Sequence, residues 1–256
     1  MTPACKHSEL YRERMYARYA EVQAPDWIKR DDAAERIAQR GHLRRLRGWL
    51  PSSRDAWVLD LGCGAGELLS ALKASGYRNA LGVDAGPQQA ALAEQRGLSI
   101  IRADLRDYLR TTDQTFDLVL AFDVIEHFRK NEVLDMLDLI HARLNPGGSL
   151  ILQTPNAASV WAAEYRYGDL THEVLFTPGS LASTLSLASF SHFQVREVAP
   201  YVHGVRSAVR WALCRMIWTG CAIWHLAETG SLCGGVYSRN MLVRTVKADQ
   251  AACCSR

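Results

Sequence analysis

No stretch of this sequence stays apolar long enough to cross a bilayer, which excludes a membrane-spanning helix. No Cys-x-x-C pair occurs among its seven cysteines, Cys5, Cys63, Cys214, Cys221, Cys233, Cys253 and Cys254, which argues against a zinc ribbon. Where a secretory signal would place apolar residues, the chain has Lys6, Glu9, Arg12, Glu13 and Arg14. With an odd cysteine count beside it, that pattern predicts a cytoplasmic protein without a disulfide framework. An excess of one charge is missing as well. Thirty Lys+Arg against 27 Asp+Glu leave +3, with no basic stripe, so nucleic acid is not an expected partner. Internal repeats are absent, which excludes a solenoid. What remains is an ordinary globular composition, 48% hydrophobic and 22% charged, with room for one α/β domain and an extra element.

The patterning supports that reading. Residues 1–56 are charged and helix-like, with Ile37, Leu43, Leu46 and Leu50 supplying apolar positions until Pro51-Ser52-Ser53 interrupts them. Trp57–Leu61 is a short apolar run ending in glycines, as a buried parallel strand does. A helix over Glu67–Ser75 follows, then a strand at Ala80–Val83, a helix from Pro87 to Gly97 and strands at Ser99–Ala103 and Phe116–Ala121. A helix over Glu132–Leu144 is stopped by Asn145-Pro146-Gly147-Gly148, and Ser149–Gln153 is the fifth strand. Thr177-Pro178 opens another helix, His192–Val198 is a sixth strand, and Gly235–Val246 contains a seventh. Such alternation predicts an α/β fold with a mostly parallel sheet and helices on both faces. The implied organisation is an N-terminal helical extension at 1–56, a core at 57–204 and 235–247, and a helical insertion at 205–234.

Chemistry concentrates after the first strand. Gly62, Gly64 and Gly66 lie between strand and helix, where glycines permit a tight turn and let a ligand approach backbone amides. Asp84 ends the second strand about twenty residues on, a place from which a carboxylate can bridge two ribose hydroxyls. Asp104 follows the third strand, ahead of Leu105. Phe116-Asp117-Leu118-Val119-Leu120-Ala121 and Leu144-Asn145-Pro146-Gly147-Gly148 complete the series.

With these motifs in this order, residues 55–200 resemble the class I S-adenosylmethionine-dependent methyltransferases. The resemblance implies a Rossmann-like seven-stranded sheet and S-adenosylmethionine as cofactor. It implies that Gly62, Cys63, Gly64 and Gly66 hold the methionine part, that Asp60 orients the loop and the amino group, that Asp84 holds the ribose, and that Asp104 with Leu105 meets the adenine. Both aspartates also admit a reading as helix caps. Cys63 reads as a small loop residue, since methyl transfer needs no covalent enzyme intermediate.

Asp123-Val124-Ile125-Glu126-His127 follows the fourth strand, at the sheet edge where reacting ligands sit. A helical turn there would put Asp123 and Glu126 on one face with His127 beside them. Gly168-Asp169-Leu170-Thr171-His172-Glu173 comes later, and the order resembles metal-dependent small-RNA 2′-O-methyltransferases. In those enzymes an acidic-x-x-Glu-His cluster and a later His hold magnesium; here Asp123 stands where Glu is usual. Three arrangements stay open: a Mg2+ or Mn2+ site of Asp123, Glu126, His127 and His172; a metal-free base at His127 or His172 assisted by Glu126; and a structural His172.

Trp161, Tyr165, Arg166 and Tyr167 form a polar, aromatic approach to His172 that suits a sugar. The Tyr-Gly-Asp-x-Thr-His-Glu stretch, followed by a Trp-rich segment, resembles bacterial methyltransferases associated with surface polysaccharide synthesis. The expected activity is therefore O-methylation of a sugar hydroxyl on a lipid-linked polysaccharide or glycolipid. Its rivals are a quinone-pathway or catechol-type small-molecule O-methyltransferase, a small-RNA 2′-O-methyltransferase and a non-catalytic scaffold. Val205–Ala227, with Trp211, Met216, Trp218 and Trp224, reads as a contact to the inner face of a membrane, as a homodimer interface, or as internal packing.

Overall fold

The computed structural model describes Met15, residues 32–232 and residues 235–248. Most of the expected N-terminal extension, together with Cys5, Cys233 and Cys253-Cys254, lies outside these residues. The elements are α1 (Asp32–Leu46), β1 (Trp57–Leu61), α2 (Glu67–Ala74), β2 (Asn79–Asp84), α3 (Pro87–Gln95), β3 (Ile100–Arg102), α4 (Leu105–Thr111), β4 (Phe116–Phe122), α5 (Lys130–Arg143), β5 (Leu144–Pro155), α6 (Ala162–Gly168), α7 (Pro178–Leu187), β6 (Phe190–Glu197), α8 (Val205–Thr229) and β7 (Asn240–Lys247).

Seven strands form one sheet in the order β3-β2-β1-β4-β5-β7-β6. The first five run parallel, and β7 inserts antiparallel between β5 and β6. The two-residue period of a strand explains how both faces are covered. From β1, Leu59 and Leu61 enter one core with Val119 and Ala121 of β4, and Met136, Leu137 and Ile140 of α5 close over them. Val58, Leu118 and Leu120 point the other way, to Leu68 and Leu72 of α2 and to Leu46 at the end of α1. A sheet buried on both faces needs continuous apolar strands, and these have them.

Several elements depart from the sequence reading, which offered no helix where α4 forms. The first helix stops at Leu46, not at Pro51, because Gly48 adopts φ +78 and turns the chain. Asn145-Pro146-Gly147-Gly148 does not form a free turn after α5. It belongs to β5, where the register with β4 jumps from Phe116↔Leu144 to Leu118↔Ser149, and Asn145 Nδ2 donates to Asp117 Oδ1 at 2.8 Å. Helix α6 was not expected at all, for it buries no residue and so carries no apolar period. Helix α8 lies between β6 and β7, where the insertion was placed.

The order of strands reverses direction at β1, with β2 on one side and β4 on the other. In open α/β sheets ligands bind beyond the carboxyl ends of strands at such a point.

Candidate active site

The loop after β1 is built around backbone that only glycine adopts readily. Gly62, Gly64 and Gly66 have φ of +67, +53 and +80. A Cβ on Gly62 would meet Val124 Cγ2 at 2.6 Å, and one on Gly66 would meet Leu98 Cδ1 at 2.3 Å, whereas Gly64 faces open space. The loop is therefore packed tightly on its flanks and open in the middle. Asp84, at the end of β2, anchors it: Oδ2 accepts from the Gly64 amide at 2.8 Å and Oδ1 from the Gly86 amide at 2.7 Å. Burial raises the Asp84 carboxyl above its ordinary range, and the two amide bonds oppose that rise.

Asp60 lies beneath the loop, 2% exposed, and its Oδ2 has no hydrogen-bond partner. Burial, and after it the charge of Asp84, push its pKa up to about 8. Cys63 is buried, and desolvation drives its thiol far above the range of a nucleophile. A cavity of about 270 Å³ is lined by Asp60, the glycine loop, His42, Glu67, Phe122 and Asp123. Three carboxylates at one pocket, one of them a buried orphan, fit a ligand that brings a cationic amino group and a sulfonium. Asp104 behaves as a cap: Oδ1 accepts from the Arg106 and Asp107 amides at 2.9 and 3.1 Å, starting α4. Leu105 is half-buried against the core on that side.

The turn after β4 is a short 3-10 segment at Ile125–His127. It is fixed to the later loop by main-chain bonds, since the Glu126 carbonyl accepts from the amides of Glu173 and Val174 at 2.8 and 3.1 Å. This brings Glu126, His127 and His172 together, with one potential ligand atom from each within 4.8 Å of the others. The imidazole centroids are 4.9 Å apart and tilted by 58°. Glu126 is fully buried; Oε2 accepts from Thr154 Oγ1 at 3.1 Å, while Oε1 has no partner. Desolvation, then the nearby Asp123 charge, holds the Glu126 carboxyl well above its ordinary range.

The hydrogen-bond network assigns the histidine tautomers. His172 Nδ1 lies 2.6 Å from the Tyr165 carbonyl, which can only accept, so Nδ1 carries the proton. Thr171 Oγ1 donates to Asp169 Oδ1 at 2.6 Å and lies 2.9 Å from His127 Nδ1, which therefore donates to it. The Nδ1 of each ring is thus held by an acceptor, as in many metal-binding imidazoles, and His172 Nε2 lies 3.9 Å from Asp169 Oδ2. Burial lowers the His127 pKa to about 4, with the nearby His172 as a second cause, so the ring is neutral near neutrality. Arg166 Nη1 donates to the His172 carbonyl and braces the loop.

Asp123, the fourth ligand expected from the sequence, stands outside this group. Its φ of +55 sends the carboxylate to Gln153 Nε2 at 2.8 Å and Asn240 Nδ2 at 3.3 Å, on the wall of the cofactor pocket. The sequence reading also missed His42 and Arg45, one helical turn apart on α1. Their Nδ1 and Nε atoms are buried without partners, and both line a second cavity of about 610 Å³. That cavity adjoins the first, since His42 and Glu67 line both, and its walls include Ile37, Trp161, Tyr201 and Trp218. The i, i+3 spacing of His42 and Arg45 marks a polar helix face but says nothing of what it faces.

A family model described as a methyltransferase domain matches residues 28–192. The chain belongs to that family. Its fold is that of S-adenosylmethionine-dependent methyltransferases: a structure from Archaeoglobus fulgidus matches with a TM-score of 0.60 at 20% identity, covering 84% of this chain and 98% of that one. A complex titled DhpI-SAM-HEP matches with a TM-score of 0.57 at 16% identity, covering 96% and 99%. Among curated relatives, the ubiquinone biosynthesis O-methyltransferase of Methylocella silvestris is 34% identical over 161 residues, 53% of this chain and 58% of that one. The tRNA U34 carboxymethyltransferase of Methylococcus capsulatus is 28% identical over 181 residues, 66% of this chain and 55% of that one. The matches thus span little more than half the length of these relatives.

Proposed function

We propose that this protein transfers a methyl group from S-adenosylmethionine to a hydroxyl of a small phenolic or catechol-type acceptor, with a divalent cation held by Glu126, His127 and His172. The observation that carries the site assignment is Glu126 Oε1, a buried carboxylate oxygen without a hydrogen-bond partner, on a residue whose ligand atom lies within 4.8 Å of those of His127 and His172. A site with a carboxylate and two imidazoles suits magnesium, manganese or a related divalent ion. When bound, such an ion lowers the pKa of a coordinated hydroxyl and can grip a neighbouring one.

The chain's own residues supply the rest. The Gly62–Gly66 loop, tied down by Asp84, shapes the cofactor pocket, and Asp60 meets the cofactor's amino group. Asp123, fixed by Gln153 and Asn240, adds negative charge to the pocket wall. The larger cavity, which joins the cofactor pocket at His42 and Glu67 and has Trp161, Tyr201 and Trp218 beside Arg45 and Arg239 in its walls, offers room for the acceptor.

The sequence around Tyr167–Glu173 suggests a glycan acceptor, but the names of the relatives favour another class. Several of them carry the name ubiquinone biosynthesis O-methyltransferase, which favours the small-molecule alternative. The tRNA-directed relatives would require a basic surface, and the net charge of +3 offers little. The test is methyl transfer to a 1,2-dihydroxybenzene acceptor with the cation removed and restored.

A further inference from the structure

Helix α8 is amphipathic in the reverse of the usual sense. Its inner side, Ser207, Cys214 and Trp218, lines the larger cavity, and Arg215 Nη1 tethers it to Glu197 Oε2 at 2.7 Å. None of its residues is buried. Val205, Val209, Leu213 and Met216 recur every three or four residues, Ile223 follows two turns later on the same helix face, and that face points to solvent; Met216 is 70% and Ile223 63% exposed. A continuous apolar stripe of this length on the outside of a folded domain marks an interaction surface.

The charges around the stripe say what it meets. Arg206 and Arg210 border one side, Arg210 also reaching the larger cavity, and the helix holds a single acid, Glu228, near its end, where it accepts from Trp224 Nε1 at 2.8 Å. A second copy of the helix would bring more arginine with little acid to balance it. An anionic lipid surface complements both features, since it takes the apolar stripe into the acyl boundary and the guanidinium groups into the headgroups. Trp224, exposed beside the stripe, suits that boundary. No helix among the described residues is long and apolar enough to cross a membrane, so the contact would lie in the surface plane.

We propose that α8 docks this protein on an anionic membrane surface, setting the mouth of the adjoining cavity beside the bilayer. The contact is independent of the methyl acceptor, and its test needs neither cofactor nor turnover. The full chain is floated with vesicles of phosphatidylcholine alone and of phosphatidylcholine with phosphatidylglycerol. It should float with the mixed vesicles, lose binding as salt rises, and remain behind with the neutral ones. Arg206→Glu should weaken partitioning on the order of tenfold, and Met216→Glu with Ile223→Glu on the order of a hundredfold. Both variants should keep wild-type S-adenosylmethionine affinity by calorimetry, which shows that they fold. Absence of flotation with mixed vesicles, equal flotation with neutral ones, or undiminished flotation of the double variant would each overturn the docking. So would a concentration-dependent dimer in sedimentation that the double variant abolishes.

Discussion

Asp84 Oδ2 accepts from the backbone amide of Gly64 at 2.8 Å, joining the end of β2 to the middle of the loop that follows β1. The same carboxylate accepts from Gly86, so one side chain ties the turn after β2 to the loop that lines the cofactor pocket. Position 64 itself is open on its outer side. The loop is thus set before any ligand arrives, which reduces the ordering cost of binding.

Asp84→Ala removes both anchors and the carboxylate that would meet the ribose. Cofactor affinity measured by calorimetry should fall by at least about tenfold, since charge-assisted hydrogen bonds of this kind contribute roughly 1.5–3 kcal/mol each. Unchanged affinity in a folded variant would remove Asp84 from the site.

Gly66→Ala forces a side chain onto backbone at φ +80 and places its Cβ against Leu98. The expected cost is ~1–3 kcal/mol, read as a lower denaturation midpoint. A midpoint equal to wild type would mean that the loop can relax away from Leu98.

Asp60 gives a pH signature. Its folded-state pKa of about 8 lies above the ordinary 3.8, so between those values the native state holds a proton that the unfolded chain has released. Stability of the cofactor-free protein should therefore fall as pH rises through this window. Asp60→Asn should flatten that slope and gain stability near pH 8 relative to wild type, while weakening cofactor binding. Parallel slopes for the two proteins in denaturant titrations would show that Asp60 ionises normally.

The sequence exposed the sheet because burial on both faces demands apolar strands, as Leu118–Ala121 and Val58, Leu59 and Leu61 around Asp60 show. It exposed the glycine loop because positive φ at Gly62, Gly64 and Gly66 leaves few other choices. Local pattern could not reveal that Asn145–Gly148 bulges within β5, since that depends on a partner at Asp117. The acceptor side was harder for the same reason. His127 and His172 are 45 positions apart, and their orientations come from Thr171 and the Tyr165 carbonyl. Spacing and resemblance group Asp123 with them, but its positive φ directs it to Gln153 and Asn240.

Glu126→Gln removes the ionisable carboxyl but keeps the shape. Divalent-cation affinity, followed by calorimetry with Mg2+ or Mn2+ alone, should drop at least about tenfold, and His172→Ala should do the same. Because desolvation favours a proton on Glu126, cation binding by the wild type should release one and tighten as pH rises. Cation affinity indifferent to both substitutions would place the ion elsewhere.

The most direct measurement is transfer of a labelled methyl group from S-adenosylmethionine to a 1,2-dihydroxybenzene acceptor by the full chain, with the product analysed by mass spectrometry. The account predicts an O-methylated product that disappears when a chelator is added, returns with Mg2+ or Mn2+, and is lost in Glu126→Gln despite normal cofactor binding. Full activity in chelator, retained in Glu126→Gln, would contradict it.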